Sequence, residues 1–295
     1  MAAEIANPAV IIGLGGSGQW VLTYIKKNLM DIYDGRIPDT VRLLSFDTID
    51  KSAKQTDDKQ EEFVHVGDVQ LSNNEYRYIG GNIKNLCEEI RHDRRHAHIG
   101  SWLQARYYLA SNAPGAFDIS KGAGQQRPFG RMSIFYDLQN GIQNEIASRI
   151  QSAITHVVSA NKKQAPVEIY VIASLAGGTG AGMFIDIAHL ARWFAKRSIN
   201  NGSFYVRGFL ALQNTFNSVL HVQQVKANAF AAMRELDRFM QVFDQQYPIV
   251  YNEGDPTLQT IYGGKHGKLF DTCYLIDANR DNVPLDGVHP KLGVY

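Results

Sequence analysis

Cysteine is almost missing from this 295-residue chain. Cys87 and Cys273 stand far apart, which excludes a disulfide scaffold and points to a reducing compartment. Neither sign of charge prevails: 30 Lys and Arg against 29 Asp and Glu leave a formal net charge of +1. Such a balance carries no electrostatic footprint for nucleic acid or an anionic membrane surface. No apolar run approaches the ~18 residues that a membrane span requires, so no membrane insertion is expected. The first strand-like run begins at Ala9 with no charged-then-apolar leader before it, and a cytoplasmic location is expected. There is also no internal repeat and no low-complexity linker. What remains is ordinary for a globular protein, 44% apolar and 20% charged residues, in a chain able to bury roughly 75% of its unfolded surface.

Glycine is where the chain departs from the ordinary. Gly177-Gly178-Thr179-Gly180-Ala181-Gly182 follows the strand-like run Val167–Ala173 and precedes the helix-like run Met183–Phe194. Glycine permits left-handed backbone that turns successive N–H groups inward, and the following helix adds its positive end, so the expected guest is an anion such as phosphate. A side chain at Gly178 is expected to occupy the place of a phosphate oxygen. A second loop of the same kind, Gly13-Leu14-Gly15-Gly16-Ser17-Gly18, lies near the start of the chain between another strand and another helix.

The apolar pattern places these loops in a larger order. Strands are predicted at Ala9–Leu14, Val41–Asp47, Val167–Ala173, Tyr205–Leu212 and Thr272–Asp277. Helices are predicted from about Gln19 to Met30, from Asn74 to Glu89 and from Val219 to Phe243. One further helix is predicted where Ile134, Leu138, Ile142, Ile146, Ile150 and Ile154 recur every four residues. The stretches from Asp50 to Glu62, Leu109 to Gln126 and Asn279 to Tyr295 read as irregular. Apolar strands alternating with helices predict a doubly wound α/β domain over residues 1–295, a mostly parallel sheet with helices on both faces. In such sheets ligands bind at the carboxyl ends of the strands, where both glycine loops fall.

Other sites are weighed and set aside. A dinucleotide fold expects an acidic residue ~20 residues after its glycine loop, yet Asp47 lies 29 residues after Gly18, and the second loop has no place in that scheme. Neither loop continues into the Gly-Lys-Ser/Thr of a P-loop. The run Arg91-His92-Asp93-Arg94-Arg95-His96-Ala97-His98 offers His92 and His96 on one helix face, but its arginines repel a cation and no further ligand completes a set, so no metal site is assigned. Asn228 reads as the polar flank of a helix.

Taken together, the loops resemble the nucleotide-binding half of the tubulin and FtsZ superfamily. The run Gly177–Gly182 is similar to its signature phosphate loop, and Gly13–Gly18 with Gln19 is similar to the first glycine loop of FtsZ. Ser45-Phe46-Asp47-Thr48 ends its strand where FtsZ carries Asn-Thr-Asp. Gly122-Ala123-Gly124-Gln125-Gln126-Arg127-Pro128-Phe129-Gly130-Arg131 resembles the FtsZ loop facing the terminal phosphate. Phe216-Asn217-Ser218-Val219-Leu220 is similar to the tubulin run beside the ribose loop, and Ile276-Asp277-Ala278-Asn279 to the strand end that touches guanine. The Gln-Gln-Arg-Pro run fits a divergent bacterial tubulin-like group better than FtsZ itself. Ala176 replaces a usual glycine, Asn214 stands near the ribose-holding glutamate of tubulin, and an insertion between about Phe230 and Lys268 lengthens the helix and loop before the last strand.

The resemblance implies GTP or GDP with Mg²⁺, held by Gly13, Gly15, Gly16, Ser17, Gly18, Gln19, Asp47, Gly177, Gly178, Thr179, Gly180, Ala181 and Gly182. It places Gly122, Ala123 and Gly124 at the terminal phosphate, Asn214 at the ribose and Asn279 at the base. Arg127 and Arg131 are candidates for phosphate, since planar guanidinium pairs well with its oxygens. For the complete protein it implies self-association into filaments and GTP hydrolysis. The central helix, the second domain and the acidic catalytic loop of the family have no match among these residues. A GTP-sensing scaffold without turnover and, more distantly, an NAD-binding oxidoreductase stand as alternative readings.

Overall fold

The computed structural model describes residues 7–50, 64–92, 96–103, 119, 122–139, 144–199, 202–216, 223–241, 246–263, 267–277, 279–280 and 283–284. Six strands form one parallel sheet: β1 (Ala9–Leu14), β2 (Val41–Asp47), β3 (Tyr76–Tyr78), β4 (Val167–Ser174), β5 (Phe204–Ala211) and β8 (Thr272–Ile276). Their spatial order is β3-β2-β1-β4-β5-β8. The winding direction reverses between β1 and β4, so the loops leaving those two strands open on the crevice where doubly wound sheets bind ligands.

Alternation within each strand divides the side chains between two layers. Val10, Ile12 and Leu14 of β1 join Leu44, Phe46, Val167, Ile169 and Val171 in the main core. That core is closed by α4 (Arg127–Gln139), α5 (Glu145–Ala160) and α6 (Thr179–Ser198). On the opposite face Val41 and Leu43 pack with Leu22 of α1 (Gly15–Ile32), with Ile25 and Leu29 beside them. Strands buried on both faces read as near-continuous apolar runs, which is why they were legible.

Several expectations are corrected. Tyr76–Tyr78, expected in a helix, is drawn into the sheet as Ser45 donates its N–H to Glu75 O, and the helix α2 (Lys84–His92) starts only after Gly80-Gly81. Asn82 Oδ1 accepts there from Lys84 N–H at 3.0 Å. A four-residue helix α3 (Ala97–Gly100) follows. The four-residue repeat of isoleucines belongs to two helices, α4 and α5. The buried Asp137 carboxylate accepts from the N–H groups of Glu145 (3.0 Å) and Ile146 (2.9 Å), and Asn144 Oδ1 accepts from Ser148 N–H, so a new helix starts there.

Helix α7 (Gln223–Met240) carries the predicted apolar face, and its expected first turns lie outside the described residues. The insertion after it is an antiparallel hairpin, β6 (Gln246–Val250) with β7 (Gln259–Gly263), packed against α6. In the tail, expected to be irregular, Asn279–Arg280 (β9) and Val283–Pro284 (β10) form a short antiparallel pair. The irregular stretches expected at Asp50–Glu62 and Leu109–Gln126 lie largely outside the described residues, as does the rest of the tail.

Candidate nucleotide site

Both glycine loops end on long helices whose first turns have no side-chain cap and no acidic residue. Among the described residues the leading N–H groups of α1 and α6 thus have no N-cap side chain and no first-turn carboxylate over them. The two loops touch: a Cβ on Gly15 would lie 3.3 Å from both Gly180 N and Thr179 Cβ. Gly15 has φ +68°, a left-handed turn that suits glycine. Above Gly16 and Gly177 a Cβ would meet nothing within 4 Å, so backbone is bared to open space at one point in each loop.

The remaining glycines of the signature loop serve close packing. A Cβ on Gly178 would stand 2.8 Å from Gln126 N and 2.9 Å from Ala123 Cβ, and Gly178 itself is in right-handed helical backbone. The expected place of a phosphate oxygen at Gly178 is thus filled by the 122–126 loop; Gly16 and Gly177 are the open positions. Gly130 passes Gly178 O so closely that a Cβ would fall 2.3 Å from it, and Gly182 would meet Arg127 O at 2.3 Å. These contacts seat α4 directly on α6. Gly13 and Gly18 do the same for β1 and α1.

The segment 122–126 closes the third side. Gly122 (φ +99°) and Gly124 (φ +54°) take left-handed backbone, and so does Gln125 (φ +59°), an uncommon conformation for a side-chain-bearing residue. Gly122 N–H donates to Thr48 O at 3.2 Å. Thr48 lies just beyond β2, and its hydroxyl meets the Thr179 hydroxyl at 2.7 Å. One proton serves that contact, so the pair keeps a second O–H for another acceptor. The buried Asp47 carboxylate accepts from Thr48 N–H at 2.7 Å, which holds the strand end in shape. Ala123 and Gln19 are buried.

Asn228, read from sequence as a polar flank, is buried in α7 and ties the loops together. Its Nδ2 donates to Gln125 O (2.7 Å), Ala176 O (3.1 Å) and Gly177 O (3.4 Å). A mid-helix asparagine on an otherwise apolar face was the available signal. Asp277, just beyond β8 and read from sequence only as part of the Ile276–Asn279 run, accepts through Oδ2 from Asn214 Nδ2 at 3.1 Å. That pair joins the ends of β5 and β8 beside the crevice. The side chain of Asn279 and the run Asn217–Leu220 lie outside the described residues.

The two arginines expected at phosphate are committed elsewhere. Arg127 pairs with Glu235 of α7 and donates Nε–H to Ala181 O at 3.1 Å. Arg131 forms a two-pronged pair with Asp186 of α6 at 2.8 and 3.1 Å and lies 4.5 Å over the Trp102 ring. Burial alone would lower the Arg131 pKa; the charge and hydrogen bonds of Asp186 reverse this and hold it above the ordinary value. Tyr251, from just beyond β6, donates its hydroxyl to Asp186 Oδ1 at 3.0 Å, and burial holds that phenol neutral. Local spacing showed the guanidiniums but not carboxylates 108 and 55 residues away.

The profile of the family described as "Tubulin like" matches residues 10–287. No curated protein matches the chain. Similar solved structures include the GDP-bound monomer of CetZ1 from Haloferax volcanii (12% identity, TM-score 0.48, covering 97% of this chain and 56% of that one). CetZ from Methanosaeta thermophila is 11% identical, with a TM-score of 0.45 and coverage of 98% and 51%. The GTPγS-bound protofilament of CetZ2 from Haloferax volcanii is 14% identical, with a TM-score of 0.44 and coverage of 95% and 52%. This chain spans about half the length of those structures.

Proposed function

Because this chain belongs to the tubulin-like family, we propose that it binds a guanine nucleotide across the ends of β1 and β4. The observation that carries the reading is the bared backbone over Gly16 and Gly177, one position in each of two touching glycine loops. Phosphate oxygens fit there: neither position offers a side chain, and each adjoins an uncapped helix start. The backbone N–H groups of Gly15–Ser17 and Gly177–Ala181 donate to the phosphates, and the Thr48–Thr179 pair adds its spare hydroxyl proton. Gly122–Gly124 lie at the terminal phosphate. Asn214 and Asp277 hold the strand ends beside which ribose and base are placed, with Asn279 at the base.

Among the described residues no group of three His, Cys, Asp or Glu side chains forms a metal cluster. Mg²⁺ is usually carried by phosphates with one or two carboxylates, and Asp47 is the carboxylate nearest to this role; the ion neutralises phosphate charge when bound. The protein parts seen here position phosphates and supply hydrogen-bond donors, which are the main protein contributions to phosphoryl transfer. In the complete protein this binding is coupled to self-association and GTP hydrolysis. The Gln125-Gln126-Arg127-Pro128 run supports a divergent branch, apart from FtsZ. The strand order is shared with dinucleotide-binding folds, so the second glycine loop, after β4, is what favours a mononucleotide triphosphate over NAD.

The test is to denature the purified protein, identify the released nucleotide by chromatography, and titrate the emptied protein calorimetrically. GTP or GDP should bind at least tenfold more tightly than ATP or NAD. Tighter binding of ATP or NAD overturns the assignment.

A further inference from the structure

Among the described residues the outer edge of β2 is only partly covered. On one side β1 pairs with Val41–Phe46; on the other β3 pairs with Ser45–Asp47 alone. Alternation fixes which backbone groups face outward. Ser45 N–H donates to Glu75 O and Asp47 O accepts from Ile79 N–H, both on the β3 side. Leu43 and Val41, two and four residues before Ser45, therefore present their groups to that same side. Val41 is already occupied, its N–H donating to Pro38 O and its C=O accepting from Arg42 Nη1 at 2.8 Å. Among the described residues no strand lies beside Leu43 on this edge. An uncovered strand edge is a template for pairing, and proteins normally block it or use it.

This edge opens into a groove of about 550 Å³. Its apolar floor includes Leu43, Leu44 and Ala153, and its wall is the Ser148, Ser152 and His156 side of α5. The turn at Ser72–Glu75 closes one end. The outward-facing Leu43 lies ~13 Å from Asp47, at the nucleotide end of the strand, at ~3.3 Å per residue. The groove is thus separate from the site described above.

Charge selects the occupant. Two carboxylates line the groove and both are engaged: Glu75 with Lys26 at 2.6 Å, Glu145 with Arg77 and Arg149 at 2.8 Å each. Arg42 meets no carboxylate among the described residues; its guanidinium contacts the His156 ring and the Val41 carbonyl. Among the described residues the positive charge of Arg42 therefore has no counter-charge.

We propose that this groove receives an extended acidic peptide segment of a partner protein as a strand added to the edge of β2. Its main chain pairs with the Leu43 N–H and C=O, and one of its carboxylates pairs with Arg42. Strand addition draws affinity from main-chain bonds and specificity from side-chain positions at alternate residues. A main-chain donor and acceptor at Leu43 beside the guanidinium of Arg42 suit a peptide with a carboxylate side chain better than a compact anion.

A library of random displayed seven-residue peptides, panned on the wild-type chain with the Arg42→Glu variant as counter-target, tests this. Enriched peptides should carry Asp or Glu among β-branched residues and bind Arg42→Glu at least tenfold more weakly. At saturation they should slow hydrogen exchange of the Leu43 amide at least tenfold. Ser152→Trp, on the exposed groove wall, should weaken the same peptides without changing thermal unfolding, and it stands as the test if Arg42→Glu fails to fold. The proposal is overturned if no peptide is enriched, if basic peptides win, or if enriched peptides leave Leu43 exchange unchanged. It is equally overturned if the wild type forms a dimer that Ser152→Trp abolishes, since a second copy then fills the edge.

Discussion

Alanine at three neighbouring glycines should give opposite results in two assays. At Gly16, in the first turn of α1, a methyl group meets nothing within 4 Å. Alanine favours helix over glycine by at most ~1 kcal/mol there. At ~2.1 cal/mol/K per residue the unfolding entropy of a chain this size is about 0.6 kcal/mol/K, so the melting temperature should rise by ~1–2 °C. The same methyl group would stand where a phosphate is proposed to bind. Loss of one charge-assisted hydrogen bond, ~1.5–3 kcal/mol, should weaken nucleotide binding roughly 10- to 100-fold. Gly177→Ala should behave similarly in binding. Gly178→Ala is the contrast: its methyl group would press on Gln126 N at 2.8 Å and Ala123 Cβ at 2.9 Å. Overpacking of this kind costs ~1–3 kcal/mol and should lower the melting temperature by ~2–5 °C. Circular dichroism melts of nucleotide-free protein and calorimetric titration with GTP read the two effects separately. Wild-type affinity in a stable Gly16→Ala protein would refute phosphate placement over α1. An undisturbed melt for Gly178→Ala would refute the packing of the 122–126 loop.

Asn228→Ala removes the donor shared by Gln125, Ala176 and Gly177 carbonyls. It should cost ~2–4 kcal/mol in denaturant unfolding, and a loss under ~0.5 kcal/mol would mean those carbonyls find other donors. Asp186→Asn removes the counter-charge of the half-buried Arg131 and should destabilise by ~1–3 kcal/mol, with the Asp186→Asn/Arg131→Met pair recovering part of that in the same measurement. Burial pushes the Cys87 thiol up to about 12 and Cys273 up to about 11. At pH 8 iodoacetamide should therefore label both slowly in the folded protein, Cys87 the slower, and both quickly in urea; rapid labelling of folded Cys87 by mass spectrometry would contradict its burial.

The sheet was legible because strands buried on both faces are written as apolar runs, and the glycine loops because their composition is rare between a strand and a helix. Helix limits were harder. The isoleucine repeat from Ile134 to Ile154 runs across two helices because α4 and α5 both bury a face in the same core, and the Asp137 contacts that start the second are not periodic. The hairpin after α7 was missed because Gln246–Val250 is short and contains Pro248. The roles of Arg127, Arg131 and Asn228 depend on partners 51 to 108 residues away, where local spacing carries no information.

The Asn228–Gln125 bond has a consequence for how the protein is made. Its ends are 103 residues apart in the chain. At synthesis rates of ~5–20 residues per second, roughly 5–20 s pass between emergence of the Gln125 loop and of the side chain that holds it. Gln125 keeps a left-handed backbone, a conformation that relaxes readily without outside support. The β1 and β4 loops can meet once β4 and α6 have left the ribosome, but the third wall of the crevice waits for α7. A nascent chain from which residues 1–222 have emerged would then hold five of the six strands of the sheet and an unfinished pocket. Ligand capture in such a chain becomes a late event of biosynthesis, timed by the arrival of one amide group.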